Sequence, residues 1–353
     1  MQKVRKGEEV NALNLKQFLL EHQLIHDVNS ELKIRQFTNG FSNLTYQLDI
    51  ENKSLVLRRP PVGAVKRGHD MSREFKVLSR LNQGFTKVPN VYAYTDNTAV
   101  IGTPFYIMEK VEGIILSAAE AKSRQVASSD FQTIADKWLD TFVELHDLDY
   151  KTLGLEDLGR PEGYVERQVT NWAKQYLKAK TDDIDTADAL MQWLRDNQPK
   201  TYEHRLIHND YKYDNVVFAN DSWDDLTAVL DWEMCTLGDP LMDLGTSLAY
   251  WSIASDHEMI LQGLPSPTAM LGNPSRSELV ELYAQKSGRN IDHLIFYYAF
   301  GLFKLAVIVQ QIYYRYHKGL TTDPRFAKLN EATRLFMTMA FMAIKKNRIE
   351  NLF

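Results

Sequence analysis

The chain has 353 residues, 44% of them apolar and 25% charged, with a formal charge of −5 and a pI near 6.0. That length allows about two domains around a sizeable core, while the acidic balance argues against a broad nucleic-acid footprint. The single cysteine, Cys235, excludes an intrachain disulfide framework and suits a reducing compartment. No run reaches the roughly eighteen uninterrupted apolar residues of a membrane span, and Met1 to Glu9 lacks the apolar core of a secretion signal. A cytoplasmic protein with no nucleic-acid or membrane partner is the expectation.

In chain order, Leu15 to Leu24 carries an amphipathic helical pattern. The period then changes to two: Leu44, Tyr46, Leu48 and Ile50 alternate with polar residues, and Lys53 to Arg58 follows across a short turn, which predicts an antiparallel hairpin. A helix is predicted from about Asp70 to Asn82, with Met71, Phe75 and Leu78 on one face, then strands near Val91 to Tyr94 and Phe105 to Glu109. From Asp130 onward Phe131, Ile134, Trp138, Phe142 and Leu145 recur at three- and four-residue steps, as a buried helix requires. The change places a boundary near Gly113, between a strand-rich stretch 1–113 and a helical stretch 114–353. Val216 to Phe218 and Leu226 to Leu230 read as two short strands around the polar turn Asn220 to Asp225. Gln262 to Ser275 holds three prolines and two glycines in fourteen residues and reads as a loop, ordered or mobile. Further long helices are predicted over Ser277 to Ser287, Ile291 to His317 and Pro324 to Lys346.

The chemistry concentrates in His208-Asn-Asp210-Tyr-Lys212-Tyr-Asp-Asn215, followed sixteen residues later by Asp231-Trp-Glu233. Phosphoryl transfer needs a base-like carboxylate at the acceptor hydroxyl, oxygen ligands for Mg²⁺ and fixed positive charge. Asp210 can orient the hydroxyl and accept its proton. Asn215 offers Mg²⁺ a neutral amide oxygen without adding a carboxylate beside the base, and Asp231 supplies the charged metal ligand. The intervening hairpin can return Asp231 toward Asn215. A lone H-x-D or D-x4-N arises by chance, and Asp and Asn commonly mark turns; the joint pattern carries the argument. There is no G-x-x-x-x-G-K-[ST], no paired cysteine, no H-E-x-x-H and no G-x-S-x-G.

These residues resemble the aminoglycoside phosphotransferase family, the small-molecule branch of the protein-kinase-like fold. The likeness runs from about Phe37 to the helices beyond Tyr313. It is strongest at Leu206 to Asn215, Val229 to Glu233, and Gly238-Asp-Pro-Leu-Met-Asp243-Leu. Within the family the chain is most similar to the branch found alone or fused to acyl-CoA dehydrogenase domains, on Val56-Leu-Arg-Arg-Pro-Pro61, Gly102 to Glu109, and Tyr313 to Arg315. The resemblance implies an α+β, two-lobed protein-kinase-like fold with a small antiparallel-sheet N-lobe and a larger helical C-lobe.

It also implies roles. The turn Asn39-Gly40-Phe-Ser42-Asn43 would lay backbone N–H groups and small polar side chains over phosphates, although it holds one glycine only. Val56 and Arg58 share a strand face, so Val56 would cover the adenine and Arg58 reach the phosphates. The family's usual residue at the Arg58 position is Lys; Arg keeps the charge but is bulkier and differently hydrated. Glu74 resembles the carboxylate that pairs with this cation, and the strand leading through Glu109 to Val111 resembles the hinge whose backbone binds adenine. His208 becomes a structural hydrogen-bond hub, Lys212 a neutraliser of phosphoryl charge, and Glu233 a second metal contact or loop cap. Asp243 would brace the catalytic loop, and Asp239 would cap a helix.

The acceptor is expected beside Asp210, lined by parts of Tyr297 to Tyr316 and closed by the Gln262 to Ser275 loop. Tyr297, Tyr298, Lys304, Gln310, Gln311, Tyr313, Tyr314, Arg315 and Tyr316 form an aromatic and basic stretch that suits an acid or acyl thioester better than a polycation. The expected activity is transfer from ATP, or another nucleoside triphosphate, with Mg²⁺, to a hydroxyl of a small molecule such as a hydroxyacyl-CoA or hydroxy acid. An aminoglycoside kinase is the alternative within the class. A nucleotide-binding module with little catalysis is the alternative outside it.

Overall fold

The structure, a computed structural model, describes residues 3–37, 43–61, 69–263 and 265–353. The chain divides into two compact units. The first comprises residues 1–113 with segments 152–155 and 227–234, the second 114–151, 156–226 and 235–353. The segment bearing Asp231 therefore goes with the strand-rich unit and not with the helical stretch 114–353 in which the sequence reading put it.

The first unit opens with α1 (Ala12–Glu21), N-capped by Asn11, whose side chain accepts from the Asn14 N–H. This cap starts the helix three residues before the expected Leu15. Strands β1 (Lys33–Gln36), β2 (Leu44–Ile50) and β3 (Lys53–Arg59) follow, then α2 (Met71–Leu81), β4 (Val91–Thr95) and β5 (Phe105–Glu109). They form one antiparallel sheet in the order β1-β2-β3-β5-β4. The β2–β3 turn has Glu51 and Asn52 both in the left-handed region, at φ 49° and 61°, the two-residue geometry that matches strand twist.

Alternation then sorts the side chains of the sheet. Tyr46, Leu48, Leu55, Leu57, Phe105 and Ile107 pack with Leu15, Phe18 and Leu19 of α1 in one core. Val56 lies opposite Met108 and Arg58 opposite Tyr106, on the other face. There α2 covers the sheet, with Phe75 against Tyr94 and Tyr106. The buried stripe of α2 is Met71, Glu74, Val77, Leu78 and Leu81, so a carboxylate occupies a position that apolar periodicity alone leaves unassigned. The late segment joins this unit through the Val229 N–H, which donates to the Lys87 carbonyl (2.8 Å), and through Trp232 edge-on to Phe85.

The second unit contains α3 (Ala118–Arg124), α4 (Asp130–Asp147), α5 (Tyr164–Ala179), α6 (Ala187–Asp196), β6 (Arg205–Ile207), β7 (Val216–Phe218), the start of β8 (Leu226–Val229) and β9 (Thr236–Gly238). It continues through α7 (Pro240–Tyr250), α8 (Glu258–Gly263), α9 (Arg276–Ser287), α10 (Leu294–His317) and α11 (Leu329–Lys346). The expected hairpin after β7 is closed by the Ala219 N–H donating to the Asp225 carbonyl at 2.9 Å. Asp239 caps α7 as read from the sequence, accepting from the Leu241 N–H, with Pro240 in the first turn. The helix expected from Pro324 begins at Leu329 instead, because Pro324–Phe326 forms a separate 3₁₀ turn capped by Asp323.

Helix α10 is long and apolar enough to cross a membrane by composition, yet 78% of its most apolar stretch is buried in the fold. It runs against α7 with the backbones in contact. A Cβ on Gly301 would lie 2.6 Å from the carbonyl carbon of Gly245, and one on Gly245 would lie 2.5 Å from that of Tyr297. Only glycine permits this approach.

Candidate active site

In the second unit the short strand β6 and the start of α7 position the segment expected to be catalytic. Asp243, one turn into α7 and fully buried, accepts the backbone N–H groups of His208 (2.6 Å) and Asn209 (2.7 Å). His146 Nε2 lies 3.3 Å from the same carboxylate, and its Nδ1 is 2.8 Å from the Tyr283 hydroxyl. Burial works to raise the Asp243 pKa, but His146 and the donors around His208 hold it below the ordinary carboxylate value. Burial likewise pushes His146 down against the pull of Asp243. The pair is an anion and a neutral ring, and Asp243 braces the loop as the sequence reading has it.

On that brace sit the expected catalytic groups. The Asp210 N–H donates to Nδ1 of the buried His208 (3.3 Å). Asn215 Nδ2 donates to both the Asp210 carbonyl and its Oδ2, each at 2.8 Å, leaving Oδ1 as the atom to offer a cation. Lys212 Nζ is 3.0 Å from Asp210 Oδ2. Tyr211 anchors the segment: its hydroxyl donates to the Trp138 carbonyl, its own carbonyl accepts from Ser247 Oγ, and its ring stacks on Phe142. Asp210, Lys212 and Asn215 are thus brought together.

In the first unit Arg58 gathers three carboxylates. Its Nε is 3.2 Å from Glu74, and its Nη2 is 2.5 Å from Asp231 and 3.1 Å from Glu233. Burial opposes the Arg58 charge, yet Glu74 and Asp231 outweigh it and hold the guanidinium well above its ordinary pKa. Glu74, by contrast, is pushed up to about 7 by burial even with Arg58 beside it. Arg73 also reaches this cluster, its Nη1 donating to the Glu233 carbonyl at 3.3 Å. Asp231 and Glu233 supply the hard oxygen donors that Mg²⁺ takes. Among the described residues no set of three or more His, Cys, Asp or Glu side chains forms a closed metal site. The fit is to an ion that uses one or two carboxylates and completes its shell with phosphate oxygens and water.

The expected nucleotide contacts stand as follows in the described residues. Gly40 and Ser42 lie outside the described residues. Asn43 does not offer its side chain to phosphates, because its Nδ2 donates to Glu233 (2.7 Å) while His69 Nδ1 donates to its Oδ1 (2.9 Å). The Glu109 N–H is already committed to the Asn90 carbonyl (2.7 Å), and its carboxylate accepts from Asn90. A base contact at this hinge would fall to the Glu109 carbonyl and to Val111, which is half-buried just beyond β5.

The residues expected around the acceptor do not all line one cavity. A cavity of about 200 Å³ in the second unit is lined by Trp138, Lys212, Tyr213, Tyr250, Trp251 and Thr268 among others, and not by α10. Helix α10 is a core helix: Tyr298 packs over Arg276, Gln310 donates to the Ala179 carbonyl, and Lys304 turns to the backbone of Asn209. The stretch from Pro265 to Ser275 does contribute a wall, and it is ordered. Thr268 Oγ1 donates to the Ser252 carbonyl, Asn273 Nδ2 to those of Pro267 and Met270, and the Tyr213 hydroxyl to Asn273 Oδ1. The missed lining residues sit where α7 ends, at Tyr250 and Trp251. An aromatic pair shortly after Asp243 was the available signal.

Residues 33–266 match the model of the phosphotransferase enzyme family (APH). The chain belongs to that family, and its fold is the protein-kinase-like α+β fold. It is a phosphotransferase by family. Acyl-CoA dehydrogenase family member 10 of Mus musculus is 32% identical over 319 residues, covering 88% of this chain and 29% of that protein. Acyl-CoA dehydrogenase family member 11 of Homo sapiens is 37% identical over 300 residues, covering 82% of this chain and 37% of that protein. The chain thus spans well under half the length of these relatives. Among solved structures, a candidate aminoglycoside phosphotransferase from Ralstonia eutropha superposes with a TM-score of 0.81 at 29% identity, covering 96% of this chain and 99% of that one. Choline kinase from Cryptosporidium parvum, at 11% identity and a TM-score of 0.64 over 96% of this chain and 97% of that one, shares the fold.

Proposed function

We propose that the protein transfers the γ-phosphoryl group of ATP to a hydroxyl of a small hydroxyacyl-CoA or hydroxy acid. The observation that carries this reading is the double role of Lys212, which lines the aromatic cavity and lies 3.0 Å from Asp210. Lys212 thus ties the cavity wall to the expected base. Asp210 takes the hydroxyl proton as the oxygen forms its bond to the γ-phosphorus, the bond to the ADP oxygen breaks, and ADP departs with the electron pair. Lys212 offsets charge on the transferred group, and Arg58 serves the remaining phosphates. Mg²⁺ arriving with the nucleotide would offset phosphate charge, and the family resemblance makes Asp231 of the first unit and Asn215 of the second each a candidate ligand.

The acceptor class rests on two supports. The cavity wall carries one ammonium, from Lys212, and one carboxylate, from Asp214, among Trp and Tyr rings, a poor match for a polycationic antibiotic and a better one for an acyl chain ending in an anion. The relatives that bear the name acyl-CoA dehydrogenase place related sequence beside acyl-CoA chemistry.

An ADP-release assay with Mg·ATP against short hydroxyacyl-CoAs, the free hydroxy acids and an aminoglycoside tests the proposal. Turnover of the first two groups is expected. Turnover of the aminoglycoside alone would establish the antibiotic kinase instead. Mg²⁺-dependent thermal stabilisation by ATP with no turnover of any acceptor would establish a binding module.

A further inference from the structure

The base Asp210 follows a residue in an uncommon conformation: Asn209 has φ 68°, in the left-handed region that favours glycine. Asp243 holds the N–H of Asn209 from one side. From the other side comes Lys304, buried in the middle of α10, whose Nζ donates to the Asn209 carbonyl at 3.0 Å and lies 3.4 Å from its Oδ1. The Tyr164 hydroxyl donates to that same Oδ1 at 3.3 Å. The glycine crossing makes this possible. With Gly245 and Gly301 in backbone contact, Asp243 stands two residues before one glycine and Lys304 three residues after the other, so the two helices close on Asn209.

A buried ammonium needs a reason. The groups facing Lys304 are Asp243 on α7, Asp210 and Lys212 on the loop, and the Trp172 ring on α5, 5.9 Å from its Nζ. Burial pushes the ammonium down to about 8, with Asp243 and Asp210 resisting and Lys212 adding to the fall. A methionine would fill the same space without that electrostatic penalty, and a core helix has no need of the charge.

We infer that Lys304 is a positioning residue for the catalytic loop: through the Asn209 backbone it sets the direction of the Asp210 carboxylate. It touches no reacting atom. The inference rests on the proposed phosphotransfer only where turnover is measured, and its structural consequence can be read without any acceptor.

Hydrogen–deuterium exchange on wild type, Lys304→Met and Lys304→Arg provides that reading, with circular dichroism to verify folding. Loss of a charge-assisted bond is expected to speed exchange of peptides within 206–216 by about tenfold or more in K304M, with α7 and α10 peptides close to wild type and K304R largely restoring protection. Where an acceptor is turned over, kcat falls about tenfold or more while KM for Mg·ATP stays within about twofold. Unchanged exchange in 206–216 overturns the inference, as does a uniform rise across α7 and α10, which marks a purely structural lysine. If K304M does not fold, Lys304→Gln, which keeps an N–H donor without the charge, is read the same way. If wild type turns over no acceptor, the proposed function fails while the exchange result still decides the role of Lys304.

Discussion

Replacing Gly301 with alanine tests the contact that aligns the catalytic loop. The new Cβ would lie 2.6 Å from the Gly245 carbonyl carbon and 3.1 Å from the Thr246 nitrogen, where ordinary contact begins near 3.4 Å. Both obstacles are backbone, so no rotamer change relieves them and α10 must move off α7 by roughly 1 Å, far enough to forfeit a quarter to a half of the dispersion attraction along that line. Overpacking of this kind costs about 1–3 kcal/mol, and the opened packing adds to it. Alanine returns about 1 kcal/mol through helix propensity. The net expectation is a loss of about 2 kcal/mol, or a fall of roughly 4–8 °C in Tm for a unit of this size. Thermal unfolding followed by circular dichroism gives the answer, and kcat should fall as well because Asp243 and Lys304 separate. A Tm equal to or above wild type refutes the reasoning, since it means that helix propensity dominates and the two backbones do not meet.

Three further outcomes are expected. Asp210→Asn should lower kcat by about 10²–10⁴ with KM for Mg·ATP little changed in the ADP-release assay; a loss confined to nucleotide affinity contradicts the role of base. Asp243→Ala strands the N–H groups of His208 and Asn209, at about 1–3 kcal/mol each, which urea denaturation at neutral pH should register. The Asp243 pKa lies below its ordinary value, so its stabilisation is complete above the usual carboxylate range and is lost as pH falls through the depressed value; the gap between wild type and D243A should narrow there, and a gap unaffected by acid is the contrary result. Arg58→Met leaves Glu74, Asp231 and Glu233 without their shared cation, so Mg²⁺ alone should raise Tm more in the variant than in wild type, and equal shifts argue against a metal-accepting cluster.

What could be read from the sequence divides by distance along the chain. Period two located β2 and β3 to within a residue, and the apolar run from Phe105, buried on both faces, marked β5. Asp210, Lys212 and Asn215 fall within a single turn-rich segment, so spacing alone brings them together. The acid cluster on Arg58 joins residues from β3, α2 and the 227–234 segment, which no local pattern connects; the family likeness supplied Glu74, and the full set required the fold. Helix α5 carries Val165, Val169, Trp172 and Tyr176 at helical steps, a local signal that the expectations omit. Lys304 is expected at the acceptor for a physical reason: the first four turns of α10 are apolar on nearly every side, so periodicity names no inward face, and Lys304 and Gln310 look like a lining when they are interior fastenings.

The two carboxylates that handle charge share a device. Asp210 follows Asn209 at φ 68°, and Asp231 itself sits at φ 66°, conformations that cost a residue with a side chain about 1–2 kcal/mol. Glycine would relieve that cost, but at 231 it removes the carboxylate, and at 209 it removes the amide that Tyr164 and Lys304 grip. Asparagine and aspartate are the side-chain-bearing residues that tolerate this region best, which is why they stand here. Each is then held from afar. Asn209 lies between Asp243 and Lys304. Asp231 is held by Arg58 on its carboxylate and by a neighbouring backbone in which Val229 donates to Lys87 and accepts from Trp232 Nε1. Strain of this kind persists only where surrounding contacts over-determine it. The direction of each of these two carboxylates is therefore a property of the helices and strands behind its loop, and it is the packing of those elements, more than the loop sequence, that a disabling substitution would reach.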